Sequence, residues 1–465
     1  MANLEELLRK LSEEFEKRNR KSKELAEKAK NIMVQGGSHN LRLWSPFPFI
    51  VSSAKGAIVK DVDGNEYIDY WQGHYANILG HNPDILNRAS SSAHKKGCLH
   101  TGFEDEWEIK LGELILDTLG HKNWKIRFTT SGTLANTYAC MLSFSYTGRE
   151  MVLKVGGGWH GSTPYLLKGV KFKKGKGFEE VESKGIPDEF GGKIIITRFN
   201  DPEDLENKIK RFGDKIACFI LEPFIGAGGF IPGDPEYLKL CRKLTEEKGI
   251  VLIFDEIISG FRFCANALHK YFGIEPDLVT FGKIIGGGHA VSAVAGKREI
   301  MELCGDDEPI QRRVKFEGGT YSSHPEYMMS GYILLKYLID NENEIYPKIG
   351  KLGKMLREGI DSCFSKEGLP VLCSGGDREG VLQSSFFMPN FFKKDLKEIK
   401  SPEDVQDEEI VDLNLKEKVL KVFLVNNGIN VVHGGGAISY SHNEEHIKKT
   451  ISVFEEFAHF IKKNI

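Results

Sequence analysis

The chain has 465 residues, which at roughly 150 residues per domain is two or three domains, or one large α/β domain with additions. Lys and Arg number 63 against 66 Asp and Glu, a net charge of −3 with no basic half, which excludes a nucleic-acid surface and leaves small molecules as the expected partners. No run approaches the roughly 18 apolar residues of a membrane span, and no charged-then-apolar leader opens the sequence, so a soluble cytoplasmic protein with no membrane partner is expected.

Leu4, Leu7, Leu8, Leu11 and Phe15 recur at helical spacing within residues 4–31, predicting an amphipathic N-terminal arm that coats its own core or grips a second subunit. Around Asp63, Gly64 and Asn65 the stretch 61–70 reads as a hairpin turn between β-rich flanks. From about 104 to 300, helical stretches alternate with short apolar runs beginning at Met151, Lys193, Cys218, Ile250 and Leu278, the pattern of buried parallel strands. Residues 165–192 are rich in Lys, Glu and Gly and predict a mobile surface loop. The last 130 or so residues return to mixed helices and strands and end in an amphipathic helix from about Glu444. The expected division is a helical arm at 1–35, a first part of a small domain at 36–100, a large domain at 101–335 and the rest of the small domain at 336–465. Eight cysteines (Cys98, Cys140, Cys218, Cys241, Cys264, Cys304, Cys363 and Cys373) form no CxxC pair, so reduced structural thiols and no metal centre are expected.

The stretch IleValLeuIlePheAspGluIleIleSerGlyPheArg, 250–262, sets Asp255 directly behind five apolar residues, at the carboxyl end of a buried strand, where open α/β sheets bind ligands. ProAspLeuValThrPheGlyLysIleIleGlyGlyGly, 276–288, ends a second such strand at Lys283. One crossover helix between them puts both ends on the same sheet edge. Alone, the two make an ordinary ion pair. ThrThrSerGlyThrLeuAlaAsn, 129–136, leads small residues into a helix whose free amides hold a phosphate, or which Ser131 merely caps. GlyGlyGlyTrpHisGly, 156–161, sets an aromatic plane beside an imidazole, which alone is also a packed tryptophan. Together these are the parts that hold pyridoxal 5′-phosphate. GlyAlaGlyGly at 226–229 lacks the GxGxxG spacing of a nicotinamide site.

On these motifs the chain resembles, from about Gly36 to its C-terminus, the class III, fold-type I aminotransferases, and within them the glutamate-1-semialdehyde 2,1-aminomutases. The resemblance implies an α/β fold: a large domain with a mostly parallel central sheet, and a smaller α+β domain built from the N- and C-terminal segments. It implies pyridoxal 5′-phosphate as cofactor, passing through pyridoxamine 5′-phosphate, with amino acid and keto acid substrates. Lys283 matches the Schiff-base lysine, Asp255 the partner of the pyridine nitrogen, Trp159 and Ile257 the residues on the two ring faces, and Ser131, Gly132 and Thr133 the phosphate loop. Thr320 matches a threonine that reaches the neighbouring subunit's phosphate, which implies a homodimer. His160 and Glu222 match residues beside the cofactor, and Arg42 stands near the place of an arginine that binds a substrate carboxylate.

Several positions depart from the family. Leu134 stands where Glu is usual in the phosphate loop, and glycines in HisGlyGlyGlyAlaIleSer, 433–439, stand where aminomutases carry a Glu. His74 replaces a tryptophan of their pocket and is a candidate substrate residue. Ala227 stands where omega-aminotransferases place Glu, and Ile258 where they favour Gln, whereas the GlyPheArg ending at Arg262 sides with the aminomutases. The expected reaction is amino-group transfer on an amino acid, with the intramolecular shift of the aminomutase, or racemisation or epimerisation, as alternatives.

Overall fold

The computed structural model describes residues 2–97, 102–376 and 384–464, so Cys98 lies outside the described residues. The chain forms two units, one of residues 84–346 and 398–407, the other of 1–83, 347–397 and 408–465.

The first unit is built on a seven-stranded sheet in the spatial order Trp124–Thr129, Ser292–Lys297, Leu278–Phe281, Val251–Glu256, Ile216–Leu221, Met151–Val155 and Ile194–Thr197. Val251–Glu256 runs parallel to both its neighbours, while Ser292–Lys297 is antiparallel to the strands beside it. The central strands are buried along their whole length, which is why they read as unbroken apolar runs. The helix Gly132–Thr147 lays Ala135, Ala139, Cys140 and Leu142 into the same core as Cys218, Ile220, Val251 and Ile253.

The division differs from the sequence boundaries at 100 and 335. The helix Asp84–Lys96 packs Ala89 and Ala93 against Met329 of the helix Pro325–Asp340, so both belong to the sheet unit. Residues 398–407 also return to it: Gln406 accepts from the Phe172 amide at 3.0 Å, and its amide donates to Gly228 O at 3.4 Å. Residues 165–187 hold turns and isolated bridges, Lys168 with Val181 and Lys173 with Gly177, before a short helix at Asp188–Gly192.

In the second unit the arm is two helices, Ala2–Arg18 and Arg20–Lys30, rather than one. They break at Asn19, whose buried side chain donates back to Phe15 O at 2.9 Å and accepts from Tyr67 Oη at 3.2 Å. Leu7, Leu11 and Phe15 are buried, and Phe15 meets the rings of Trp44 and Phe47 at 5.0 and 5.1 Å, so the stripe coats its own unit. The hairpin strands Ile58–Asp61 and Glu66–Asp69 are antiparallel, and Glu66–Asp69 pairs parallel with Ile429–Asn430, joining the N- and C-terminal segments in one sheet.

Asp69 ends its strand buried, accepting from Trp71 N, Gln72 N, Asn430 Nδ2 and His81 Nε2 at 2.7–3.1 Å. The backbone then turns left-handed at Gln72, Gly73, His74 and Tyr75, with φ of 47°, 61°, 59° and 69°. Such conformations are costly for residues with a Cβ and concentrate at functional segments. This turn presents His74 against the rings of Trp71 and His39, at 4.6 and 5.0 Å, and the exposed Arg42 closes the turn Asn40–Arg42.

His442 in this unit is buried, stacks on Tyr70 at 4.7 Å and accepts from the Ser439 amide at 3.0 Å. Burial pushes its pKa from 6.5 down to about 3. The unfolded chain takes a proton here that the folded chain refuses, so this site's contribution is complete above about pH 6.5 and is lost as pH falls from there. His442→Gln, which cannot titrate, is expected to flatten the fall of the urea midpoint between about pH 6.5 and pH 4. An unchanged slope would refute the assignment.

Candidate active site

Asp255 sits near the carboxyl end of its strand, 3% exposed, and its two oxygens are held by neutral groups. Oδ2 accepts from Asn136 Nδ2 at 2.7 Å and from His160 Nδ1 at 2.8 Å; Oδ1 accepts from the Ile257 amide at 3.0 Å. A carboxylate only accepts, so His160 donates from Nδ1, and its buried Nε2 has no hydrogen-bond partner among the described residues. Burial lowers the His160 pKa and keeps the imidazole neutral. Asn136 is fixed in turn by Thr280, whose hydroxyl donates to Asn136 Oδ1 at 2.7 Å. Among the described residues no Lys or Arg lies within 4.0 Å of Asp255, so this buried charge has room for a cation.

Lys283 follows the neighbouring parallel strand, paired Asp255 to Thr280 and Glu256 to Phe281. Its φ is +48°, a left-handed conformation, and its ammonium makes no hydrogen bond to the described residues. Burial holds the amine below the ordinary lysine range; Asp255 and Glu222 oppose this, and Arg262 adds to it. A lysine so placed is free amine part of the time.

Ile257 packs between the two ends. A Cβ on Gly132 would stand 3.1 Å from its side chain, and one on Gly282 would stand 3.0 Å away, so glycine at both positions leaves the slot open. Gly132 opens the helix Gly132–Thr147, with Ser131 as its N-cap accepting from Leu134 N at 3.3 Å. Free amides and the dipole there fit a phosphate. Thr133 accepts from the Ser162 amide at 3.2 Å, tying this helix start to the loop that carries Trp159 and His160. Trp159 is 39% exposed, and its amide donates to Glu222 Oε1 at 3.1 Å; Gly226 N donates to the other oxygen at 2.9 Å. Burial, then the charge of Asp255, push the Glu222 carboxyl up to about 8. Thr320 is exposed on a loop whose Gly318 O accepts from Thr129 at 3.0 Å. Arg42 and His74 belong to the other unit.

Asn136, Thr280 and Lys154 were not singled out from the sequence. Lys154 offered a signal, a charge inside the apolar run Met151–Val155; Asn136 offered a weaker one, an amide on the apolar stripe of its helix.

An amine with no hydrogen bond to the described residues and a buried carboxylate with no Lys or Arg of them within 4.0 Å, at adjacent strand ends beside a helix N-terminus and an open slot, fit pyridoxal 5′-phosphate by its carbonyl carbon, its ring nitrogen and its phosphate. The chain is thereby a fold-type I pyridoxal-phosphate enzyme. The model of the family Aminotransferase class-III matches residues 42–369, and the chain belongs to that family. A glutamate-1-semialdehyde 2,1-aminomutase of Thermosipho melanesiensis is 34% identical over 94% of this chain and 99% of its own length. One of Thermoplasma acidophilum is 33% identical over 93% and 98%. Among solved structures, a β-phenylalanine aminotransferase of Variovorax paradoxus superposes with a TM-score of 0.83 at 26% identity, covering 98% of this chain and 97% of that one.

Proposed function

We propose that the chain is an aminotransferase moving an amino group between an amino acid and a keto acid. The observation that carries the reading is the pair of adjacent strand ends delivering Asp255 and Lys283. Bound pyridoxal 5′-phosphate supplies an electron sink for the carbanion at the substrate carbon. Asp255, held by Asn136 and His160, keeps a proton on the ring nitrogen. Lys283 Nζ would take the substrate's α-proton and deliver it to the cofactor carbon that keeps the nitrogen, for which its lowered pKa suits it. Ser131, Gly132 and Thr133 anchor the phosphate, and Trp159 and Ile257 confine the ring between its faces. Arg42 orients a substrate carboxylate, and His74 meets the rest of the substrate. The protein acts as a cytoplasmic homodimer; Thr320 reaches the cofactor phosphate of the partner copy, in keeping with its exposure here.

The second reading is the aminomutase, favoured by the curated relatives at 33–34% identity. Against it stands the region where aminomutases carry a Glu. Gly434 has φ of +80°, and a Cβ on Gly435 would stand 2.3 Å from Phe387 O and one on Gly436 2.4 Å from Tyr70, so a Glu side chain does not fit without moving backbone.

Purified protein loaded with cofactor is expected to show a visible absorption band that an amino acid bleaches and a keto acid restores. Turnover of glutamate 1-semialdehyde with no keto acid present would establish the second reading. A protein that stays colourless in excess pyridoxal 5′-phosphate would rule out both.

A further inference from the structure

Lys154 lies in the strand Met151–Val155 with its side chain fully buried, 0% exposed. A charge there persists only with a full set of partners. Its Nζ donates to Gly158 O at 3.0 Å, Leu166 O at 3.1 Å and Lys168 O at 2.9 Å. An ammonium has three N–H donors and no acceptor, so these three main-chain oxygens consume it. Burial lowers the Lys154 pKa to about 7, and the charges of Glu222, Glu182 and Asp255 oppose that shift.

The acceptors lie at the two ends of one loop. Gly158 directly precedes Trp159 and His160, while Leu166 and Lys168 lie on the returning limb, where Gly157 N also donates to Gly169 O at 2.8 Å. Between those ends the Trp159 amide meets Glu222 at 3.1 Å and His160 Nδ1 meets Asp255 at 2.8 Å. Among the described residues no side chain of the loop makes this closure; beside the main-chain bond of Gly157 to Gly169, it comes from one ammonium in the strand Met151–Val155.

We infer that Lys154 is a positioning residue for the cofactor site: by tying Gly158 to Leu166 and Lys168 it closes the loop and sets Trp159 and His160 where the cofactor ring is received. This rests on the reading of the chain as a pyridoxal-phosphate enzyme. A lysine that merely filled the strand would affect stability and leave Trp159 alone.

The test compares wild type with Lys154→Met, which keeps an unbranched apolar stem and removes the donors. In cofactor-free protein, the Trp159 emission, taken as the difference from a Trp159→Phe partner, is expected to shift toward that of an exposed indole in the Met variant. The dissociation constant for pyridoxal 5′-phosphate is expected to rise at least about tenfold, the cost of about 1.4 kcal/mol. Unmoved emission and unchanged binding would overturn the inference. Should the Met variant fail to fold, amide hydrogen exchange on the wild-type protein decides instead. The amides of Trp159, Ser162 and Leu166, each already bonded within the fold, are expected to exchange slowly and together. Exchange at the rate of an open chain would overturn the inference. Wild-type protein that takes up no pyridoxal 5′-phosphate would fail the class reading instead, while the emission still decides the loop.

Discussion

Lys283→Ala is expected to abolish turnover while leaving the fold and the phosphate anchor in place. A positioned general base contributes roughly 10²–10⁴-fold, and this amine also provides the covalent attachment, so kcat is expected to fall by at least about 10³-fold. The side chain makes no hydrogen bond to the described residues, and its amine is held below the usual lysine range by burial. Removing it therefore breaks no hydrogen bond to the described residues, and the thermal midpoint without cofactor is expected to stay close to that of wild type. Steady-state kinetics beside thermal melts separates the two effects. Retained turnover would show that another group carries the proton.

Asp255→Asn is the second large effect. The amide has nearly the shape of the carboxylate, but it carries no charge to hold a proton on a pyridine nitrogen. Its oxygen can take the place of Oδ2, which accepts from His160 Nδ1 and Asn136 Nδ2 at 2.8 and 2.7 Å, but its amino group then faces the Ile257 amide that donates to Oδ1 at 3.0 Å, and one of those two donors loses its acceptor. Loss of a pre-organised electrostatic group of this kind typically costs about 10²–10³-fold in kcat. The same loss is expected here, together with weaker cofactor retention, read by activity after gel filtration without added cofactor. Wild-type activity in this variant would remove Asp255 from the chemistry.

The sheet was legible where burial on both faces made apolar runs, as in Ile216–Leu221 and Val251–Glu256. Two strands gave no such signal. Trp124–Thr129 alternates Lys125 and Arg127 with Ile126 and Phe128, and Ser292–Lys297 is made of small residues whose burial composition does not advertise. The break at Asn19 was hidden because the apolar stripe ends at Phe15, just before it. At the site, Asp255 and Lys283 stood out because a charge directly after a buried strand demands a purpose. Thr280 and Asn136 did not, since an uncharged side chain in a helix or strand contradicts nothing until its partners are seen. The return of 398–407 to the sheet unit depends on long-range contacts such as Gln406 with Phe172 and Gly228, which no local pattern encodes.

Borohydride reduction of the cofactor-loaded protein, followed by peptide mass analysis, tests the central claim most directly. A phosphopyridoxyl group is expected on Lys283 and is expected to be lost in the Lys283→Ala variant. Stoichiometric label on a different lysine, or none on protein incubated with excess pyridoxal 5′-phosphate, would contradict the account.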